Sequence, residues 1–293
     1  MNRLPFDELE RRCQKPDHRL VGNWMARNVS RPAALQVTQI IAPWGVSAHM
    51  ATLVAWGFGF GAAAALGWGT IWGWIIGAVM LQAWYLFDHV DGQLARLRGT
   101  ASLDGVQLDY MMHHTINLVV PLGIGWGLFA RTSQPLWAAT GLLYGLSLLL
   151  LTLHHDARSK AFIKRLKRVH GRLEVIGGGA ARPEPQPPAP GRPLPLAAWL
   201  ARKACEPHVI VNLLAVIAVA QLVLGDGRLI SGSIYLALMA PTAAAVAGWT
   251  IVRSQQQGTT EREFAAWFRP SSGEEIVFLD GWWFVRREKE SGP

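Results

Sequence analysis

Six long apolar runs set the strongest constraint on how this chain can fold. Each holds about twenty residues, the length that an α-helix needs to cross the hydrocarbon core of a bilayer. The runs cover residues 47–66, 68–90, 106–130, 134–154, 208–225 and 229–252. The composition agrees, since 51% of the residues are hydrophobic and only 16% are charged. We therefore predict an all-α fold, a polytopic bundle of about six transmembrane helices.

Basic residues are concentrated on one side of these runs. The chain has a net charge of +8, and most of its Lys and Arg precede the first run or follow the fourth. By the positive-inside rule, both termini, the segment 88–105 and the loop 155–207 face the cytosol, in a bacterial inner membrane or an equivalent one. Charges beside membrane spans favour contact with membrane lipids and argue against a nucleic-acid partner.

Composition divides the chain into three parts. Residues 1–45 are predicted to form a cytosolic N-terminal segment that ends in an interfacial amphipathic helix. Residues 46–253 hold the spans and a Pro- and Gly-rich loop at 177–197, whose composition predicts a flexible linker. Residues 254–293 form a cytosolic tail, in which an Asp-Gly pair between two β-prone runs predicts a β-hairpin.

Three acidic residues lie where the second and third runs meet. An unneutralised carboxylate at membrane depth costs several kcal/mol, so such a cluster predicts a functional site. Asp88 and Asp91 are three residues apart and share one helix face, while Asp109 and His113 are four apart on the next helix. Since the connecting turn is short, the two helices should be antiparallel neighbours, and their polar stripes can face each other.

The residue types indicate metal-dependent chemistry on phosphate. Clustered carboxylates repel one another, and divalent cations relieve that repulsion. Oxygen ligands favour Mg²⁺ or Mn²⁺, ions that also bind substrate phosphates. Arg96 adds a fixed cation with a geometry suited to phosphate. The residues alone therefore predict metal-assisted phosphoryl or phosphodiester chemistry at the membrane surface.

The segment 88–113 resembles the signature of the CDP-alcohol phosphotransferases, which reads D-x-x-D-G-x-x-A-R, eight residues, then G-x-x-x-D-x-x-x-D. Seven positions match with the family's spacing: Asp88, Asp91, Gly92, Ala95, Arg96, Gly105 and Asp109. The last position departs from the signature, because this chain has His113 where the family has Asp. The stretch from Ser47 to Thr52 resembles, more weakly, the family's S/T-P-N-x-x-T motif.

The resemblance implies an enzyme in which an alcohol hydroxyl displaces CMP from a CDP-linked donor, with two divalent ions bound and a homodimeric assembly. It implies four metal ligands: Asp88, Asp91, Asp109 and His113. It implies four residues that shape the nucleotide site: Gly92, Ala95, Arg96 and Gly105. The donor would be CDP-diacylglycerol or a CDP-polyol, and the acceptor a polar head group or a lipid alcohol.

The histidine at the last signature position leaves three interpretations open. Imidazole accepts a proton near neutral pH and binds metals, so His113 can be the catalytic base and a ligand that favours Mn²⁺. His114 or Asp104 can instead supply the base. Alternatively, the site binds metal and nucleotide without turnover, and the chain is a non-catalytic membrane protein, a sensor or an assembly partner.

Overall fold

A computed structural model describes residues 5–15, 18–20, 22–176, 187–188 and 193–287. Within these residues the fold is mostly helical, as the apolar runs predict. It contains ten α-helices: α1 (Phe6–Cys13), α2 (Arg31–Ile41), α3 (Ala48–Gly67), α4 (Ile71–Arg98), α5 (Leu103–Thr132), α6 (Pro135–Leu166), α7 (Pro193–Ala204), α8 (Pro207–Val223), α9 (Ile230–Gln256) and α10 (Thr259–Trp267).

The chain divides into two compact units. The first comprises Met1–Leu149 and Arg182–Val246, and the second comprises Leu150–Ala181 and Ala247–Pro293. Both α6 and α9 begin in the first unit and end in the second. The acidic residues at the junction of α4 and α5 belong to the first unit.

In the part of the chain that the structure describes, four helices are long and apolar enough to cross a membrane, namely α3, α4, α6 and α9. A fifth span results if α7 and α8, which are bent by 81° at a short break, count as one. These candidate spans indicate an integral membrane protein. Two of the six predicted spans, α5 and α8, are not among these four helices. Helix α8 has only 17 residues. Helix α5 contains His113, His114 and Asn117, which lower its mean hydropathy.

Glycines let the backbones of α3 and α5 approach closely. A Cβ atom added to Gly123 would lie 2.2 Å from the carbonyl oxygen of Ala63. One added to Gly127 would lie 2.2 Å from the carbonyl oxygen of Leu66. Small residues are the usual basis of such contacts in membrane bundles. Helix α4 packs on α3 in the same way, because a Cβ on Gly77 would meet the side chain of Leu66 at 2.8 Å.

The two N-terminal helices pack against the C-terminal half of α4. Leu9, Cys13 and Leu35 form a buried cluster, with Leu97 of α4 packed against it. The predicted amphipathic helix is α2, and it adds a buried hydrogen bond of 2.9 Å from Thr38 Oγ1 to Gln93 Oε1. The segment before the first span is thereby fixed to α4.

The second unit combines helix ends with short strands: β1 (Val169–His170), β2 (Glu174–Val175), β3 (Phe268–Arg269), β4 (Glu274–Leu279) and β5 (Trp282–Arg287). Strand β5 pairs antiparallel with β4 and parallel with β1, and β2 pairs antiparallel with β3. The turn between β4 and β5 is Asp280-Gly281, and both residues have positive φ, as a two-residue hairpin turn requires. Arg165 of α6 donates two hydrogen bonds of 2.6 Å to Glu261 of α10.

Two helix boundaries differ from the sequence-based prediction. Helix α6 continues to Leu166, whereas the apolar run ends at 154, because the polar residues that follow are mostly good helix formers. Helix α7 begins at Pro193, inside the predicted linker 177–197. Residues 177–186 and 189–192 of that linker lie outside the described part of the chain.

Candidate functional site

The turn between α4 and α5 is fixed by a cap at each helix end. Gly99 ends α4 with φ 64°, and Thr100 N–H donates to the Ala95 carbonyl at 2.9 Å, which completes a glycine C-cap. Ser102 begins α5, and its Oγ accepts a hydrogen bond of 3.1 Å from Gly105 N–H. These two caps set the register in which the polar stripes of the two helices meet.

Three signature residues converge between α4 and α5. The ligand atoms of Asp88, Asp109 and His113 all lie within 4.8 Å of one another, close enough to share a metal ion. His113 Nε2 lies 2.8 Å from Asp88 Oδ1 and 3.3 Å from Asp109 Oδ1. All three side chains are partly buried, with 15%, 35% and 27% of their surface exposed for Asp88, Asp109 and His113. We call these residues the three-residue group.

One carboxylate oxygen of the three-residue group has the surroundings expected of a metal-binding atom. Asp109 Oδ1 is buried and makes no hydrogen bond, although it lies within ion-pair distance of His113. A buried acceptor without a donor is costly, and a bound cation would satisfy it. The two carboxylates are ligands that Mg²⁺ and Mn²⁺ sites use, and the imidazole shifts the preference toward Mn²⁺ or Zn²⁺.

The fourth predicted ligand, Asp91, is not one of the three residues whose ligand atoms all lie within 4.8 Å of one another. It is buried, with 8% of its surface exposed. Its Oδ2 atom accepts a hydrogen bond of 2.7 Å from Thr52 Oγ1 on α3. Thr52 is the last residue of the weaker motif at the start of the first span. The contact therefore links the two regions on which the resemblance was based.

A cavity of about 260 Å³ lies beside the three-residue group. Its wall includes six of the eight signature positions: Asp91, Gly92, Ala95, Arg96, Gly105 and Asp109. The remaining wall comes from α3, the α4–α5 turn and the N-terminal segment: Lys15, Ala48, His49, Thr52, Thr100, Ala101, Ser102 and Val106. Asp109 belongs to both features, so the cavity opens directly onto the candidate metal ligands.

Arg96 is held over Gly92 by a contact with the N-terminal helix. The Nε of Arg96 donates to the carbonyl oxygen of Cys13. A Cβ atom on residue 92 would lie 3.2 and 3.4 Å from the two terminal nitrogens of the guanidinium. A side chain at that position would therefore press on Arg96. The glycine explains how a guanidinium can lie flat against α4 beside Asp91.

Comparison with known protein families gives one match over the segment that contains this site. Residues 40–171 match the family model described as CDP-alcohol phosphatidyltransferase. This segment belongs to the CDP-alcohol phosphatidyltransferase family. No curated protein gives a significant match to the chain.

This match confirms, for residues 40–171, the resemblance inferred from the signature. Asp88, Asp109 and His113 meet in one group, while Asp91 lies on the neighbouring cavity wall. The two alternative bases do not join the group. Asp104 is exposed in the first turn of α5, and His114 Nδ1 contacts the backbone carbonyl of Tyr110.

The sequence patterns did not predict every residue of the site. Lys15 and Cys13 lie about 75 residues before Asp88, the first residue of the signature. No local pattern connects them to the signature. Trp84 packs edge-on against His113, with ring centroids 5.5 Å apart. Its position one turn before Asp88 was a usable signal, because residues four apart share a helix face.

Proposed function

We propose that this chain is a CDP-alcohol phosphotransferase that moves a substituted phosphate from a CDP-linked donor to an alcohol hydroxyl and releases CMP. The observation that carries the proposal is the cavity of about 260 Å³ that adjoins the three-residue group. Its wall supplies a guanidinium, two carboxylates and a backbone without side-chain bulk at Gly92 and Gly105. This combination suits a charged diphosphate beside a metal ion.

The chain's acidic residues would hold the cofactor. Asp88, Asp109 and His113, together with Asp91 on the adjacent wall, would bind Mg²⁺ or Mn²⁺, two ions by the family resemblance. When bound, the metal neutralises phosphate charge and stabilises the attacking and leaving oxygens of the transfer. Arg96 would contact the donor diphosphate through its terminal nitrogens, since its Nε is already hydrogen-bonded to Cys13.

His113 would accept the proton of the acceptor hydroxyl. The acceptor oxygen forms a bond to the β-phosphorus of the donor as the bond from that phosphorus to the bridging oxygen breaks. CMP leaves with the bridging oxygen, and the product is a phosphodiester. In the base role, the Nε2–H of His113 faces Asp88 and Asp109, and Nδ1 would take the proton. The metal-ligand role through Nε2 is an alternative to the base role, because a neutral imidazole bound to metal at Nε2 carries its hydrogen on Nδ1.

The membrane setting defines the substrate class. We propose six spans, with α5 and α8 added to the four longest apolar helices, and a site that faces the cytosol. The lipidic partner would reach the site from the bilayer and the polar partner from the cytosol. Either CDP-diacylglycerol reacts with a polar alcohol, or a CDP-polyol reacts with a polyol phosphate or a lipid alcohol. The reaction would serve phospholipid or inositol-phosphate-type biosynthesis, in a homodimer.

A second candidate function is a non-catalytic membrane protein that binds metal or nucleotide as a sensor or assembly partner. One observation favours it. His113 Nε2 lies within ion-pair distance of both Asp88 and Asp109. A protonated imidazole in that position would neutralise the carboxylates in place of a cation.

Release of CMP by the purified protein in lipid tests the proposed function. The assay supplies Mg²⁺ or Mn²⁺, CDP-diacylglycerol, CDP-polyols and mixed alcohols. We expect metal-dependent release that falls roughly a hundredfold or more in Asp88→Ala, because a ligand of the three-residue group is lost. Asp7→Ala removes an equal charge at an exposed position of α1 and should leave the rate unchanged.

Two results would contradict the proposal. Release that continues unchanged in Asp88→Ala would show that the three-residue group does not carry the reaction. A native chain that neither releases CMP nor binds it in the presence of metal would remove the basis of the proposal altogether.

A further inference from the structure

The N-terminal helix lies outside the matched segment, yet a residue just after its end lines the cavity. The family match begins at residue 40, whereas α1 ends at Cys13. Lys15, two residues after α1, lines the cavity together with Arg96 and Asp91. The cavity therefore includes a cationic side chain that the family signature does not contain.

Helix α1 is held firmly enough to place Lys15. Cys13 has no exposed surface, and Leu9 is only 2% exposed. Both pack with Leu35 of α2 and Leu97 of α4 in one hydrophobic cluster. The carbonyl oxygen of Cys13 also accepts the hydrogen bond from Arg96. The end of α1 is thus fixed on two sides, by apolar packing and by a hydrogen bond to a signature residue.

The charged side chains around the cavity indicate that Lys15 can bind a negatively charged ligand. The described residues of the wall include two acidic side chains, Asp91 and Asp109, and two basic side chains, Arg96 and Lys15. His49 is the remaining titratable group. A diphosphate brings at least two negative charges, and in the proposed function the carboxylates are engaged by metal. Lys15 is exposed, so its ammonium group is free to turn toward a ligand at the cavity mouth.

We infer that Lys15 is a donor-binding residue that contacts the diphosphate of the CDP-linked substrate from the N-terminal part of the cavity wall. The inference rests on the proposed function, because it requires a nucleoside diphosphate in this cavity. Arg96 and Lys15 would then hold the phosphates together, one as a planar fork and the other as a mobile point charge. Helix α1 would thereby be part of the substrate site.

Binding of CDP to the full-length protein in lipid nanodiscs, with Mg²⁺ or Mn²⁺ present, tests this inference. We expect Lys15→Ala to weaken CDP affinity about tenfold, the effect of one charge-assisted contact. Lys15→Arg should restore most of the affinity, because it restores the charge. Arg11→Ala is the matched control, since Arg11 is an exposed cation of α1 whose Nε bonds only to its own helix at Asp7 O among the described contacts.

The outcomes separate this inference from the proposed function. If the native chain binds CDP with metal and Lys15→Ala binds equally well, the role of Lys15 is overturned and the proposed function remains. The inference also fails if Lys15→Ala and Arg11→Ala weaken binding equally, since the effect is then general charge. If the native chain does not bind CDP in the presence of metal, the proposed function fails and the inference with it.

Discussion

At the scale of single residues, the site depends on a few contacts that place charge. His113 lies between Asp88 and Asp109, and Arg96 lies over Gly92. The signature predicted these residue types and their spacing. It could not predict that Asp91 would accept a hydrogen bond from Thr52, because that contact joins α4 to a residue of α3.

The space at Gly92 gives a residue-scale prediction. Gly92→Ala would bring a Cβ to 3.2 Å from the guanidinium of Arg96 and force it to move. Since Arg96 contacts the diphosphate in the proposed function, we expect CDP affinity to fall by at most about tenfold, the effect of weakening one charge-assisted hydrogen bond. Titration with CDP in the presence of metal measures the effect.

A second glycine provides the control for this prediction. Gly57 lies in α3 with no neighbouring atom within 4 Å of an added Cβ. Gly57→Ala should therefore leave CDP affinity unchanged, and alanine in a helix is not a destabilising exchange for glycine. Equal CDP affinity for Gly92→Ala and the native chain would show that the position of Arg96 does not matter for binding.

At the scale of helices and strands, the sequence predicted where α4 and α5 meet but not how far α6 extends. Gly99 and Ser102 are residues whose chemistry ends and begins helices, so the turn could be located from them. The polar end of α6, up to Leu166, has no apolar run to mark it. Its Arg165 pairs with Glu261, which lies about a hundred residues later, and long-range pairs of this kind leave no local pattern.

The docking of α1 gives an element-scale prediction. Burial raises the pKa of the Cys13 thiol to about 11, so the reactive thiolate is scarce near neutral pH. In a Cys205→Ser background, we expect maleimide to label Cys13 slowly at pH 7.5. Labelling should accelerate as the pH rises toward 11, where the thiol ionises, or when detergent unfolds the protein.

Fast labelling of Cys13 at pH 7.5 would contradict the observed packing of α1. A peptide that contains the same cysteine provides the reference rate, because its thiol has an ordinary pKa. The comparison also bears on Lys15, whose place at the cavity depends on the same helix.

At the scale of the whole molecule, hydropathy indicated the membrane class, but of the two described helices that carry the signature it selected α4 and not α5. The candidate spans α3, α4, α6 and α9 are strongly apolar. Helix α5 is 30 residues long, yet it carries Asp109 and His113 near its start. Polar residues that serve a site lower the mean hydropathy of the helix that holds them. The number of spans is therefore best tested by the orientation of the loops, and not by apolar content alone.

The central question about function is whether the site is catalytically active with His113 at the last signature position. The test compares metal-dependent CMP release by the native chain and by His113→Asp, which restores the family's last signature residue. We expect the native chain to release CMP, to require metal, and to lose the activity in Asp88→Ala. No release from the native chain, together with release from His113→Asp, would contradict the transferase and favour the non-catalytic function.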